Sequence, residues 1–215
     1  ACLVGSEMCI RDRVATDTTT SDSETVAISV TDHDEFDAST PTDSNNAANT
    51  VAENAAADAT VGLTAAASDA DGSTNSITYS VSAQSCTGAF AVNGASGVVT
   101  ATGSGLNYES ATSCTVTILA TSADSSTGST QFTIAVTDID EFDASTPSDS
   151  DGGTNTVAEN AANGATVGVT ASSSDADGST NTISYSATAN SCVDGDSHAA
   201  FAVHASTGVV TVNDN

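Results

Sequence analysis

Two stretches of this chain, Asp32 to Pro41 and Asp138 to Pro147, read DHDEFDASTP and DIDEFDASTP, and the 106-residue offset between them governs most of what lies between. At that offset Asn49-Thr50-Val51-Ala52-Glu53-Asn54 returns at Asn155, Asp69 to Asn75 returns at Asp175 to Asn181, Tyr79 returns as Tyr185 and Cys86 as Cys192. Five additional residues then enter before Phe201, so Gly97-Val98-Val99-Thr100 matches Gly208 to Thr211 at an offset of 111. A period this long is too large for a solenoid unit and suits independent domains strung in series, each with its own core.

The repeat sets the expected organisation: the end of one repeat over residues 14–36, a complete repeat over 37–142, and a truncated one over 143–215. Residues 1–13 stand apart, because they hold both arginines, the single Met and two of the five cysteines. They resemble a translated linker scar and are set aside for the fold. Within the complete repeat, Phe132, Ile134 and Val136 alternate with polar residues, as do Ile77, Tyr79 and Val81. With further runs at Thr50–Val51, Thr60–Ala65, Ala89–Val92, Gly97–Ala101 and Cys114–Ala120, this predicts about seven short strands and an all-β, antiparallel sandwich. The Ala-rich stretch Ala52–Ala59 is too short and unpatterned for a stable helix.

Beyond Val14 there is no Lys or Arg, while 26 of the 28 acidic residues remain. So negative a surface repels nucleic acid and anionic membranes and attracts hard cations. Cys192 takes the place of Cys86, and the counterpart of Cys114 would fall after Asn215. The repeat therefore predicts a Cys86–Cys114 disulfide and an oxidising compartment, against the alternative of three buried, reduced cysteines.

Calcium takes six to eight oxygens, so its sites show carboxylates at short fixed spacings in loops. Each period carries Ala52-Glu53-Asn54, Asp69-Ala70-Asp71, Leu106-Asn107-Tyr108-Glu109, Asp124 after Ala123, and Asp138-Ile139-Asp140-Glu141-Phe142. A lone Asp-x-Asp in so acidic a chain is an ordinary solvated turn, but the order of all five elements resembles the cadherin repeat. The resemblance covers residues 14–215 and implies tandem Greek-key sandwiches of the cadherin/immunoglobulin type, with calcium held between successive domains.

Carried onto this sequence, one junction would use Glu53, Asn107, Glu109, Asp138, Asp140, Glu141, Asp175 and Asp177, with the Asn181 carbonyl. The earlier junction would use Asp32, Asp34, Glu35, Asp69, Asp71, Asn75 and Asp124, without the preceding domain's Glu elements. The resemblance further implies an extracellular or cell-surface protein, a part in adhesion, and other cadherin-like domains or cell-surface ligands as partners. Ala52 and Ala158 replace the family's Pro, Asn107 replaces an Asp, and Asp140 and Glu141 alter the linker, a pattern closer to bacterial cadherin-like repeats than to animal cadherins. No Trp is present for the strand exchange of animal cadherins.

Two other readings compete. His33, His198 and His204 have no metal spacing and no Gly-x-Ser-x-Gly accompanies them, so an enzyme is not expected. An EF-hand over Asp69–Ser80 fails because Ser80 stands where a bidentate Glu is required. A passive acidic spacer would respond equally to loss of Glu109 or Asp138 and to loss of Asp43 or Asp149. Asn213-Asp214-Asn215 follows a strand and reads as a turn.

Overall fold

The computed structural model describes residues 8–16, 19, 21–31, 33–188, 191–192 and 199–213, with 8–16, 21, 22, 24 and 26 described by backbone alone. Asp32, His198, Asp214, Asn215 and the first seven residues of the set-aside segment lie outside the described residues. The chain divides into two compact units, Ala1–Thr137 and Asp138–Asn215. Strands and turns make up the regular structure, and among the described residues there is no helix.

The first unit opens with a hairpin of β1 (Met8–Thr16) and β2 (Ser21–Ser29), antiparallel in unbroken register and forming a two-stranded sheet of its own. The backbone of Met8–Arg13, set aside on composition, is thus paired with β2. A sandwich follows, built from β3 (Thr42–Asp43), β4 (Thr50–Ala52), β5 (Thr60–Ala66), β6 (Thr78–Gln84), β7 (Phe90–Val92), β8 (Val98–Ala101), β9 (Ser113–Thr121) and β10 (Thr127–Thr137). One sheet has the order β4-β10-β9-β6 and the other β3-β5-β8-β7. Pairing is antiparallel throughout except between β4 and β10.

Alternation explains the layers. Cys114, Val116, Ile118 and Ala120 of β9 turn inward while the Thr residues between them stay half-exposed, and Val61, Leu63 and Ala65 of β5 meet them from the facing sheet. Ile134 and Val136 of β10 and Val99 of β8 complete a core with few aromatic side chains. The register of β5 on β8 shifts between Thr60 and Thr64. Gly62 sits there at φ +82°, where a Cβ would collide with the Ala48 carbonyl, so only glycine lets the chain pass so close. The Cys86–Cys114 disulfide is formed, with Cα atoms 5.6 Å apart, and fastens the loop after β6 to β9. Cys192 is free and exposed.

The second unit contains β11 (Ser148–Asp149), β12 (Thr166–Ser172), β13 (Phe201–Val203) and β14 (Val209–Val212), one sheet in the order β11-β12-β14-β13. It copies β3-β5-β8-β7, down to the bulge on β12 and Gly168 at φ +73°. Tyr79 and Tyr185 make the same clamp, their hydroxyls accepting from the Ala67 and Ser173 backbone N–H at 2.9 and 3.0 Å. The linker travels with the repeat that follows it. Glu35 and Phe36 donate backbone N–H bonds to Asp71, and Glu141 and Phe142 do the same to Asp177. This explains why the division between units falls ahead of Asp138 and not at Phe142.

Candidate metal centre

In the first unit the Asp69-Ala70-Asp71 loop leaves the end of β5 and folds on itself, the Asp71 N–H donating to Asp69 Oδ1 at 3.0 Å. Asn75 closes the loop from the other side, its Nδ2 donating to the Asp71 carbonyl at 2.7 Å. Asp71 is only 3% exposed, an unusual place for a carboxylate in a chain with no Lys or Arg after Arg13. Its two oxygens accept the Glu35 and Phe36 N–H groups at 3.2 and 3.3 Å, which draws the linker over the loop. Asp124 is held in its turn by the Ser126 N–H at 2.7 Å, and Ser126 Oγ accepts from the Ala38 N–H at 2.8 Å. Asp34, Asp71 and Asp124 thereby bring one carboxylate oxygen each within 4.8 Å of one another.

The electrostatics follow from that crowding. Asp34 is pushed up to about 6, first by its hydrogen bond to the Asp71 carboxylate, then by burial and by the charge of Asp124. Asp124 is held below the usual carboxylate range, chiefly by the backbone and side chain of Ser126. Asp69 Oδ2 is buried with no hydrogen-bond partner. A buried orphan oxygen beside three converging carboxylates is the donor arrangement of a hard, oxygen-liganded cation, and neither sulfur nor imidazole is in the set. The residues present fit calcium.

The second unit repeats the device. Asp177, 2% exposed, accepts from the Glu141 and Phe142 N–H groups at 3.2 and 3.3 Å, and its own N–H donates to Asp175 Oδ1 at 3.2 Å. Burial works to raise Asp177, but those backbone donors together with Asp140 and Asp175 hold it below the ordinary range. Asp140 is raised by its hydrogen bond to Asp177 and by the charges around it. Glu141 also places an oxygen within 4.8 Å of one from Asp177. Asp138 Oδ2 accepts from both the N–H (2.7 Å) and the hydroxyl of Ser179. Asn181 is exposed.

At the opposite end of the first unit, Glu53 Oε2 accepts the Tyr108 N–H at 2.7 Å, and Glu53 and Glu109 bring oxygens within 4.8 Å. Asn107 Oδ1 is engaged in its own turn by the Ser110 N–H at 2.7 Å. The structure thus gathers Asp34, Asp71 and Asp124, with Asp69 and Asn75 shaping the loop. Glu35 enters by its backbone, and Asp32 is outside the described residues. Reading the sequence for acids alone missed Ser126 and Ser179, the residues that aim Asp124 and Asp138. Ser179 had a signal, because Asp-Gly-Ser-Thr-Asn recurs whole at Asp71 and Asp177.

Asp43 and Asp149 are not the inert comparators the sequence suggested. Asp43 Oδ1 accepts from the Asn45 and Thr64 N–H groups and Oδ2 from Asn49 Nδ2; Asp149 has the same bonds from Asp151, Thr170 and Asn155. Those bonds hold Asp149 below the usual carboxylate range, the Thr170 N–H contributing most. Both residues pin a loop to the neighbouring strand.

Residues 48–137 match the family model described as "Cadherin domain". No curated protein matches the chain. Among solved structures, mouse cadherin-23 EC22-24 is 24% identical with a TM-score of 0.64, covering 93% of this chain and 61% of its own. The protocadherin gammaB7 EC3-6 cis-dimer structure is 23% identical with a TM-score of 0.66, over 91% of this chain and 47% of that one. Mouse protocadherin-24 EC1-3 is 19% identical with a TM-score of 0.63, over 94% and 64%. The chain therefore spans less than two thirds of each of these structures. The β-sandwich, the matched residues and these likenesses agree: residues 48–137 match a cadherin domain, and the chain has the fold of cadherin extracellular domains.

Proposed function

We propose that this chain is a stretch of an extracellular, cell-surface protein in which calcium ions structure the junctions between cadherin-like repeats. The observation that carries it is the convergence of Asp34, Asp71 and Asp124 within 4.8 Å, beside the orphaned Asp69 Oδ2, in a chain with no Lys or Arg after Arg13. In this reading Asp32, Glu35 and Asn75 complete the first junction. The second draws on Glu53, Asn107, Glu109, Asp138, Asp140, Glu141, Asp175, Asp177 and the Asn181 carbonyl. The chemistry calcium supplies is neutralisation of carboxylates that otherwise repel by roughly 4 kcal/mol per pair 4 Å apart at an effective dielectric of 20.

The protein's own share is to hold those oxygens in place. Backbone N–H groups of the linker fix Asp71 and Asp177, and Ser126 fixes Asp124, so little ordering remains when the ion arrives. Repeats joined this way stiffen into a rod that displays adhesive surfaces to other cadherin-like domains or cell-surface ligands.

Calcium titration calorimetry on the whole chain, with magnesium and high sodium in parallel, tests the reading. Saturable calcium binding is expected, weakened at least about tenfold by Asp34→Asn with Asp124→Asn, and separately by Glu109→Gln with Asp138→Asn. The comparator is Asp151→Asn, which preserves the Oδ1 acceptor for the Gly153 N–H. At an affinity of ~10⁻⁴ M, ~10 mM calcium raises stability by about 2.7 kcal/mol. A response reproduced by sodium and indifferent to all these substitutions leaves an acidic spacer instead.

A further inference from the structure

An asparagine side chain that precedes glycine is open to attack by its own main chain, because glycine has no Cβ to shield the backbone nitrogen that follows the amide. The chain holds two such pairs, Asn93-Gly94 and Asn163-Gly164. The fold treats them differently. Gly164 sits at φ +83° and its N–H donates to the Val212 carbonyl at 2.8 Å, which ties that nitrogen to the end of β14. Among the described residues the Gly94 N–H donates to nothing.

Asn93 lies in the turn between β7 and β8, where residues 93–96 are all exposed to water. Its Oδ1 accepts from the Ala95 and Ser96 N–H groups, both at 3.0 Å. Those bonds fix which end of the amide is oxygen, and they close a ring that contains the Gly94 nitrogen, so the amide carbon is held beside the atom able to attack it. They also stand where negative charge collects as that carbon becomes tetrahedral, which is the arrangement of an oxyanion hole. Among the described residues Nδ2 has no partner to retain it. The second repeat builds the same turn without an amide. His204 takes the place of Asn93, exchanges the same backbone bonds with Val209 and Gly208 that Asn93 makes with Val98 and Gly97, and accepts the Thr207 N–H on Nδ1 at 3.3 Å.

We infer that Asn93 is a site of spontaneous deamidation, a modification that the fold directs to the first repeat. The Gly94 nitrogen attacks Asn93 Cγ, the new N–Cγ bond closes a succinimide, the Cγ–Nδ2 bond breaks, and ammonia leaves with the proton from Gly94. Water then adds to either ring carbonyl and opens it, leaving aspartate or isoaspartate at position 93. Aspartate keeps both N–H bonds and adds a charge. Isoaspartate inserts a carbon into the main chain of a turn that has no slack: the Gly94 carbonyl accepts the Tyr79 N–H at 2.9 Å, and Gly97 lies where a Cβ would collide with the Ala65 carbonyl. That product therefore loosens the β7–β8 turn from β6. The site shares no residue with the proposed calcium ligands and stands or falls apart from them.

The test ages the full chain at mildly alkaline pH in water enriched in heavy oxygen, folded and in denaturant, then cuts it with pepsin in acid and reads the peptides by mass. Heavy oxygen enters only where a ring opens during the incubation. In the folded chain position 93 should convert about tenfold or more faster than position 163, the worth of the backbone hydrogen bond that holds Gly164. In denaturant the two pairs should convert at similar rates. Gly94→Ala adds a Cβ that meets only the Tyr79 carbonyl, at an ordinary 3.5 Å, so it should fold normally and slow conversion at position 93 by about tenfold or more. Hydrogen exchange on the separated isoaspartyl form should show the Tyr79 N–H less protected than in the parent. The inference is overturned by equal or slower conversion at 93 than at 163 in the folded chain, by a preference that survives denaturant, or by a rate indifferent to Gly94→Ala; unchanged protection at Tyr79 overturns the loosening.

Discussion

The two repeats of this chain share their sequence signals and differ in what covers them. Val61, Leu63 and Val99 of the first are essentially inaccessible; Val167, Val169 and Val210 hold the same places in the second, and only Val167, at 7% exposed, approaches full burial. The sheet containing β5 and β8 is nevertheless reproduced strand for strand as β12 and β14, bulge included. One sheet of the sandwich can therefore be laid out by its own alternation, glycines and Asx-type loops. The other, in the first repeat, is made by β4, β10, β9 and β6, and among the described residues of the second repeat those matching β4 and β6 form no strand.

Core truncation should expose this contrast most sharply. Leu63→Ala, at a site 1% exposed, is expected to cost about 2–5 kcal/mol, whereas the equivalent Val169→Ala should cost less than about 1 kcal/mol. Hydrogen exchange read separately on β5 and β12 checks it, and comparable losses at the two sites would mean the second repeat has a closed core after all. The disulfide gives the next largest effect. Cys86→Ser opens a loop between residues 28 apart and should cost roughly 3 kcal/mol in the first repeat, while Cys192→Ser, at an exposed free thiol, should leave the second unchanged. Thermal melts with and without reductant separate the two.

Much of this was legible beforehand, for reasons that can be named. The β9 run Cys114–Ala120 and the β5 run Thr60–Ala65 alternate with period 2, broken only by Leu119, and the strands form within one residue of those limits. The Cys86–Cys114 bridge followed from the repeat, because only the first copy contains both partners. The two-residue strands β3 and β11 were not legible, since Thr42–Asp43 and Ser148–Asp149 have no apolar pattern and are held by an Asp carboxylate reaching to the neighbouring strand. The site was visible as acids in a given order. What composition could not say is which acids are buried: Asp71 and Asp177 sink to 3% and 2% exposure because linker N–H groups satisfy them. The same absence of contrast among 28 acidic residues made Asp43 and Asp149 look like neutral controls.

The smallest effect concerns protons at the first junction. Asp34 is pushed up to about 6 by the Asp71 carboxylate it bonds, so in the calcium-free fold it holds a proton that an unfolded chain, titrating near the ordinary aspartate value, has lost. Between those two values the folded state binds more protons than the unfolded one. Lowering the pH through 6 therefore stabilises the calcium-free first repeat, and raising it removes that contribution. On the proposed function calcium would act in the opposite sense, because a protonated Asp34 is a poor ligand and would have to release its proton for the ion to bind. Calorimetry at pH 6 in buffers of differing ionisation enthalpy should register about half a proton released per calcium at this junction, falling toward zero at pH 8 and in Asp34→Asn. Proton release that persists unchanged in Asp34→Asn would place the shared proton elsewhere, with the Asp140–Asp177 pair of the second repeat, raised at Asp140 by the same kind of bond, as its source.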